Sequence, residues 1–356
     1  MKCASTAPNS PTSATVPPKA SGAGPASAGT GPRNRCGCSA ASASSGSTHP
    51  TCRCNAHQPT PEKAMDKTTS HDVAVLGCGL MGSALAQALA RGGKTVAVWN
   101  RTHQKAEALA DNAITPIQEI AEAVRAAPLV VVCLATYDNA LAALGQASDL
   151  TGTTLVNVGS AAPADVEAFG VWAGERGARY LDGSILGYPE QIGTDATAIL
   201  YSGSDSAWAD HSESLQLLTP MSVWVSPDIK IASVLNVGLV GMFLVPAVSA
   251  FVEATTYMRG QGVDQAVLDA LTPATFVTVQ SETARVASAI DGGDFTTDQA
   301  TIATYAQALD GAIDVMTELG LTPRVFAAAI ENLNAAVDAG LGDLGFAAQT
   351  KIIATL

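Results

Sequence analysis

At 356 residues the chain has room for two domains and a tail, and 32 acidic against 19 basic residues give it a net charge of −13. The charge is lopsided: residues 1–61 hold Lys2, Lys19, Arg33, Arg35 and Arg53 but none of the acids. The remainder is acidic enough to argue against nucleic acid or an anionic membrane surface as partner, and it fits a soluble enzyme acting on small molecules.

No uninterrupted apolar run reaches the roughly 18 residues that cross a bilayer. Residues 235–251 come closest but contain Asn236, two glycines and Pro246. Five of the seven cysteines (Cys3, Cys36, Cys38, Cys52 and Cys54) lie in the first 54 residues, leaving Cys78 and Cys133 in apolar surroundings. That usage suggests a reducing compartment without a disulfide framework, and a cytoplasmic location is expected.

Residues 1–69 are rich in Ser, Ala, Thr, Pro and Gly and poor in large aliphatics. Such a segment buries too little apolar surface to offset the entropy of ordering, so disorder is expected. It reads as a transit peptide, a native linker, or the product of an upstream start codon with Met65 as the true start. The last is preferred, because little chain separates Met65 from the first strand. Cys36, Cys38, Cys52 and Cys54 lie near His49 and His57, but C-x-C spacing without an apolar pattern is a weak zinc signal, and no metal is assigned.

The chain is organised around residues 73–102. The apolar run Val73–Leu76 suits a buried parallel strand. Gly77-Cys78-Gly79-Leu80-Met81-Gly82 follows, then a helix over Ser83–Arg91, a stop at Gly92-Gly93, and a second strand over Thr95–Trp99. Strand, glycine turn, helix and strand make half of a dinucleotide-binding fold. Gly77 makes the tight turn, Gly79 lets backbone approach a pyrophosphate, and Gly82 lets helix and strand pack closely. With Leu80 and Met81 they form the cradle at a helix N-terminus, where free N–H groups favour anions. The second strand ends not in a carboxylate but in Asn100-Arg101-Thr102, with Lys105 beyond. Two cations and a hydroxyl there suit a ribose 2′-phosphate, so NADPH is expected over NADH.

Strand and helix patterns alternate to about residue 226. Short helices are expected at 106–110 and 117–126, strands at 129–135 and 154–158, and a helix at 164–176. Strands at 179–185, 198–203 and 222–225 complete the sheet. Ligands bind beyond the carboxyl ends of such strands, so Leu134, Ala135, Thr136 and Ser160 are expected near a nicotinamide. Residues 70–228 are thus an α/β Rossmann domain, and 229–356 an all-helical domain. Its first helix, 231–259, is apolar nearly all round and should kink at Pro246. Helices at 264–271, 273–290, 297–318 and 323–339 and a last short one follow. A helix apolar on every side needs burial on every side, so an intertwined homodimer is expected.

These residues resemble those of imine reductases and reductive aminases, in the β-hydroxyacid dehydrogenase superfamily (6-phosphogluconate dehydrogenase-like). The resemblance covers about Asp72 to Ile353. It rests on Gly77-x-Gly-Leu-Met-Gly82, Trp99-Asn-Arg-Thr102, Tyr188-Pro189 with Ile192-Gly193, Ile199-Leu-Tyr-Ser-Gly203 and Asp291-Gly-Gly-Asp-Phe295. It implies NADPH, a long inter-domain helix, a dimer exchanging its helical domain, and an active site between one subunit's cofactor and the other's helices. Substrates would be cyclic imines or iminium ions, or ketones with amines. The superfamily's dehydrogenases carry a lysine early in that long helix, and imine reductases usually an Asp, sometimes a Tyr. Here the aligned residue is Asn236. Lys230 lies about 240° round the helix and is no substitute.

Asn236 cannot act as an acid, but it can hold an amine, a water or an iminium already protonated. Tyr188 leads the tyrosines as proton donor, ahead of Tyr137 and Tyr257. Met242, Phe243 and Leu244 are candidates to line a substrate pocket. The rival readings are a β-hydroxyacid (3-hydroxyisobutyrate-type) dehydrogenase, which the missing lysine opposes, and a non-catalytic NADPH-binding protein.

Overall fold

The structure is a computed structural model that describes residues 70–354 except 146 and 148. The expectations for the N-terminal tail lie outside the described residues. An eight-stranded sheet has the order β3-β2-β1-β4-β5-β6-β7-β8. The strands are β1 Val73–Leu76, β2 Val96–Trp99, β3 Ile114–Pro116, β4 Leu129–Val132, β5 Thr154–Asn157, β6 Arg179–Ile185, β7 Ala198–Gly203 and β8 Met221–Ser226. All neighbouring pairs are parallel except β6 with β7. The strand order turns back between β1 and β4, the switch point where such sheets bind ligands.

Helices α1 Leu80–Arg91, α2 His103–Glu107, α3 Ile120–Arg125, α4 Tyr137–Leu144, α5 Pro163–Gly174 and α6 Asp205–Gln216 connect the strands. Residues of β1 and β4 are wholly buried, because apolar side chains from both faces enter cores. Several expected boundaries move. The first helix begins at Leu80 rather than Ser83, since the glycine turn feeds straight into it. The strand β3 and the helices α4 and α6 emerge where the sequence signal is short or polar: β3 has only three residues, and α6 is capped by Ser204, whose hydroxyl accepts the Ala207 N–H.

The inter-domain helix runs unbroken from α7 Ile231–Asn236 through a π-helical stretch, Val237–Leu244, into α8 Val245–Gly260. The change of helical register ends at Leu244, two residues before Pro246, where the kink is expected. By length and composition Ile231–Gly260 can cross a membrane, contrary to the run-length expectation, because Asn236 and the glycines interrupt the pattern without charging it. Two expected helices fuse into α9 Gln265–Gly292, which carries Pro273 inside. The expected helix over 297–318 divides into α10 Ile302–Ala308 and α11 Ala312–Glu318, since Gly311 takes a left-handed φ of 72° between them. The helices α12 Arg324–Asp338 and α13 Thr350–Ile353 follow. Among the described residues no strand follows Ser226.

Candidate cofactor and active site

A cleft of about 570 Å³ opens at the carboxyl edge of β1, β2 and β4. Of the expected cofactor residues, Gly77, Gly79, Asn100, Arg101, Thr102, Lys105, Leu134 and Ala135 line it. The glycines behave as their spacing requires. Gly77 has a φ of 111°, and a Cβ there would lie 2.2 Å from the Cys133 carbonyl oxygen. A Cβ on Gly82 would lie 1.8 Å from the Gly77 carbonyl oxygen, so helix and turn touch backbone to backbone. A Cβ on Gly79 would meet nothing within 4 Å. Gly79 therefore presents bare backbone to open space, a cradle that a side chain would fill and a pyrophosphate fits. The first-turn N–H groups of α1, Leu80 and Met81 among them, lack intrahelical acceptors. The Leu80 side chain is exposed, and neither it nor that of Met81 lines the cleft.

Asn100 holds the turn in place. Its Oδ1 accepts the Cys78 N–H at 3.0 Å and its Nδ2 donates to the Thr102 carbonyl at 2.9 Å. Arg101 and Lys105 are exposed and form no ion pair among the described residues, so both are free to meet an anion. Gln118, Glu119 and Asn139 also line the cleft. Sequence reasoning missed them because they lie in loops and a helix without a motif; the Trp99 indole N–H, donating to the Gln118 carbonyl at 3.1 Å, and the Ile117 N–H, donating to the Val98 carbonyl at 2.8 Å, tie that loop to β2. Burial pushes the Cys78 and Cys133 thiols up to about 11, so neither is a ready nucleophile.

The other candidates are placed as follows. The Thr136 hydroxyl accepts the Asn139 N–H at 3.1 Å, so Thr136 caps α4 instead of lining the cleft. Ser160 is exposed on the loop after β5. Tyr188 is 59% exposed ahead of a short 3-10 turn, away from the cleft. Asn236 is half-buried at the end of α7, and its side chain makes no hydrogen bond among the described residues. Met242, Phe243 and Leu244 lie exposed on the π-helical stretch, and the described cavities do not include them. Lys230 is committed elsewhere, with its Nζ 2.9 Å from Glu167 and 3.7 Å from Asp228. Tyr137 is buried, and its hydroxyl donates to Asp182. The Tyr137 hydroxyl is held far above the usual tyrosine range, by burial first and then by Asp182, so it is a poor acid.

A glycine cradle at a sheet switch point, a cationic loop after β2 and a helical domain reached by one long helix define a dinucleotide-dependent oxidoreductase of the Rossmann class. Residues 72–226 match the family model for the NAD-binding domain of 6-phosphogluconate dehydrogenase. Residues 228–355 match the model for the C-terminal domain of NADPH-dependent reductive aminase-like proteins. An NADPH-dependent reductive aminase of Aspergillus oryzae is 32% identical over 176 residues, which span 49% of this chain and 60% of that protein. An imine reductase from Myxococcus stipitatus, solved with NADP+, superposes with a TM-score of 0.75 at 29% identity, over 80% of this chain and 100% of that one. A reductive aminase from Aspergillus terreus, solved with NADPH4, cyclohexanone and allyl amine, gives 0.75 at 26% identity over the same shares. The chain belongs to the imine reductase and reductive aminase family.

Proposed function

We propose that this chain reduces C=N bonds with NADPH, taking cyclic imines or iminium ions and coupling ketones with amines. The observation that carries the reading is the cleft itself: bare backbone at Gly79 beside Arg101 and Lys105, with no acidic residue at the end of β2. Reduced nicotinamide held there supplies a hydride. The chain's own residues bind and orient. Arg101 and Lys105 hold a 2′-phosphate as charge-assisted donors. Asn236 offers a donor and an acceptor to an amine nitrogen, but at neutral pH it has no proton to give. Basic cyclic imines arrive already protonated, and placing C=N near the hydride donor supplies several kcal/mol of the barrier. Tyr188, with an exposed hydroxyl, is the candidate donor for less basic substrates. Lys230, tied to Glu167 and Asp228, is not available as a dehydrogenase's base.

The partner is a second copy, exchanging helical domains. Met242 is 74% exposed, and Phe243 and Leu244 flank it on the same stretch. A bilayer is the weaker occupant for this helix. Glu253 in α8 stays ionised, its carboxylate accepting the Val325 and Phe326 N–H groups at 3.0 and 3.1 Å, and a membrane centre disfavours it. A cytoplasmic location belongs to the same proposal.

The test is NADPH oxidation, followed by absorbance, with 2-methyl-1-pyrroline as substrate and NADH in a parallel run. Turnover favouring NADPH is expected, and Asn236→Asp should raise or redirect it. NADPH binding without turnover would leave a non-catalytic binding protein. Oxidation of 3-hydroxyacids with NADP+ would leave a dehydrogenase.

A further inference from the structure

Among the buried polar side chains of the sheet, three form a row across β5, β6 and β7 that does not line the cofactor cleft. Asn157, Asp182 and Ser202 stand opposite one another in the register of β5, β6 and β7, so they share a face. They are 1%, 2% and 0% exposed. Each holds a different piece of backbone. The Asn157 Oδ1 accepts the Gly159 N–H at 3.0 Å, shaping the loop after β5. The Ser202 hydroxyl donates to the Ile229 carbonyl at 2.6 Å and accepts the Ala232 N–H at 3.0 Å. The Asp182 carboxylate accepts the hydroxyls of Tyr137 and Tyr180, and the Ser233 N–H at the start of the long helix favours its charge. The Ser233 hydroxyl in turn donates to the Ala161 carbonyl at 2.7 Å.

Three segments of the site meet on this row. Tyr137 opens α4 directly after the loop that brings Cys133, Leu134 and Ala135 to the cleft. Its ring lies against Gly159, where an added Cβ would be 3.7 Å away. Ala232 and Ser233 form the first turn of the long helix, and Asn236 lies less than one turn further on. Among the described residues the charged and titratable neighbours of Asp182 are Tyr137 from α4 and Tyr180 from β6; Asp165 of α5 acts on Tyr137, and no described cation opposes the carboxyl. Apolar side chains of the same volume would dock a helix without desolvating polar groups. A buried polar row that engages defined backbone groups adds one permitted register, and of its polar atoms the Asn157 Nδ2 has no partner among the described residues.

We propose that Asp182 is a positioning residue which, with Ser202 beside it, sets the height of the long helix, and so of Asn236, over the two loops at the nicotinamide end of the cleft. This rests on the reading of the chain as a C=N reductase. The test uses the full chain, NADPH and 2-methyl-1-pyrroline, with Asp182→Asn and Ser202→Ala. The NADPH dissociation constant should stay within about twofold while kcat falls by up to about 10²-fold, the loss that a small misplacement produces. Amide hydrogen exchange should quicken over 231–236, 133–136 and 159–162 and stay slow in β1 and β4.

The proposal is overturned if kcat and exchange keep their parent values, or if NADPH affinity falls in step with kcat, the mark of general damage. Should Asp182→Asn fail to fold, Ser202→Ala removes a single hydroxyl and decides alone. Should the parent not turn over the imine, the functional reading falls, and the exchange pattern by itself decides between positioning and none.

Discussion

The two halves of the chain differ in how much of their apolar surface they bury alone. In the sheet half, every residue of β1 and β4 is fully covered, and two cores fill both faces. In the helical half, α9 runs 28 residues with only Leu268 buried, and the core that Ile302, Leu333, Ala336 and Ala348 form is small. A helix that exposes Val267, Leu271, Phe276, Val277, Val279 and Ile290 gains little from solvent contact. The sheet half covers its own apolar faces and carries the cofactor cleft within itself. The helical half leaves much of its apolar surface uncovered, and on the proposed reading a second copy covers it.

The largest effect should come from breaking the finished half at its tightest contact. Gly82→Ala places a methyl 1.8 Å from the Gly77 carbonyl oxygen. Helix and turn must part, costing about 3 kcal/mol or more and abolishing NADPH binding. Gly79→Ala points its methyl into open space, so thermal stability should hold while dinucleotide affinity drops. Thermal melts and cofactor titrations of the two variants separate a packing glycine from a binding glycine. Val277, 67% exposed on α9, tests the unfinished half. Val277→Asp should weaken self-association by about 2 kcal/mol, the scale of an interface hot spot, as read by sedimentation. Imine turnover should fall with the dimer while NADPH binding survives. Retained turnover in a monomer would sink the two-subunit site.

A smaller effect is expected at the cofactor loop. On the proposed reading Arg101 would make one charge-assisted contact to a 2′-phosphate, worth about 1.5–3 kcal/mol. Arg101→Ala should therefore reduce the preference for NADPH over NADH by roughly tenfold to a hundredfold, read as the ratio of the two kcat/KM values.

What was legible in the sequence follows the same division. Gly77, Gly79 and Gly82 could be read because each meets a local requirement: a tight turn, a bare backbone, a close approach of helix and turn. The strands read well because burial on both faces demands continuous apolar runs. Thr136 caps α4, a role that a threonine before a helix fills as readily as a ligand contact. The helix breaks at Gly311 and the fusion through Pro273 were missed because tertiary context outweighs a single residue's preference. The polar row Asn157, Asp182, Ser202 was invisible in one dimension. Its members lie on three strands, and only the register aligns them.

The smallest prediction sets two carboxyls, one in each half, against each other through pH. Burial is the main influence on Asp182 and lifts its pKa from 3.8 to about 7, outweighing the hydroxyl and N–H donors that favour its charge. Its folded pKa exceeds its unfolded one, so as pH falls from about 7 towards 4 the native state binds more protons and gains stability. Glu253 is opposite in sign. The N–H of Val325, then that of Phe326, holds its pKa below the usual 4.5. Its stabilising contribution is complete above the unfolded value and is lost as pH falls through the lower folded one. Asp72, held by the Thr95 N–H and hydroxyl, shares that sign, so the contrast belongs to sites and not to whole domains. Hydrogen exchange between pH 7 and 5 should show growing protection at β6 and the start of α7, with the start of α12 unchanged. Further acidification should loosen α12 first. Asp182→Asn should flatten the first change and Glu253→Gln the second. Equal pH responses at the two sites in both variants would show that neither carboxyl controls its own half.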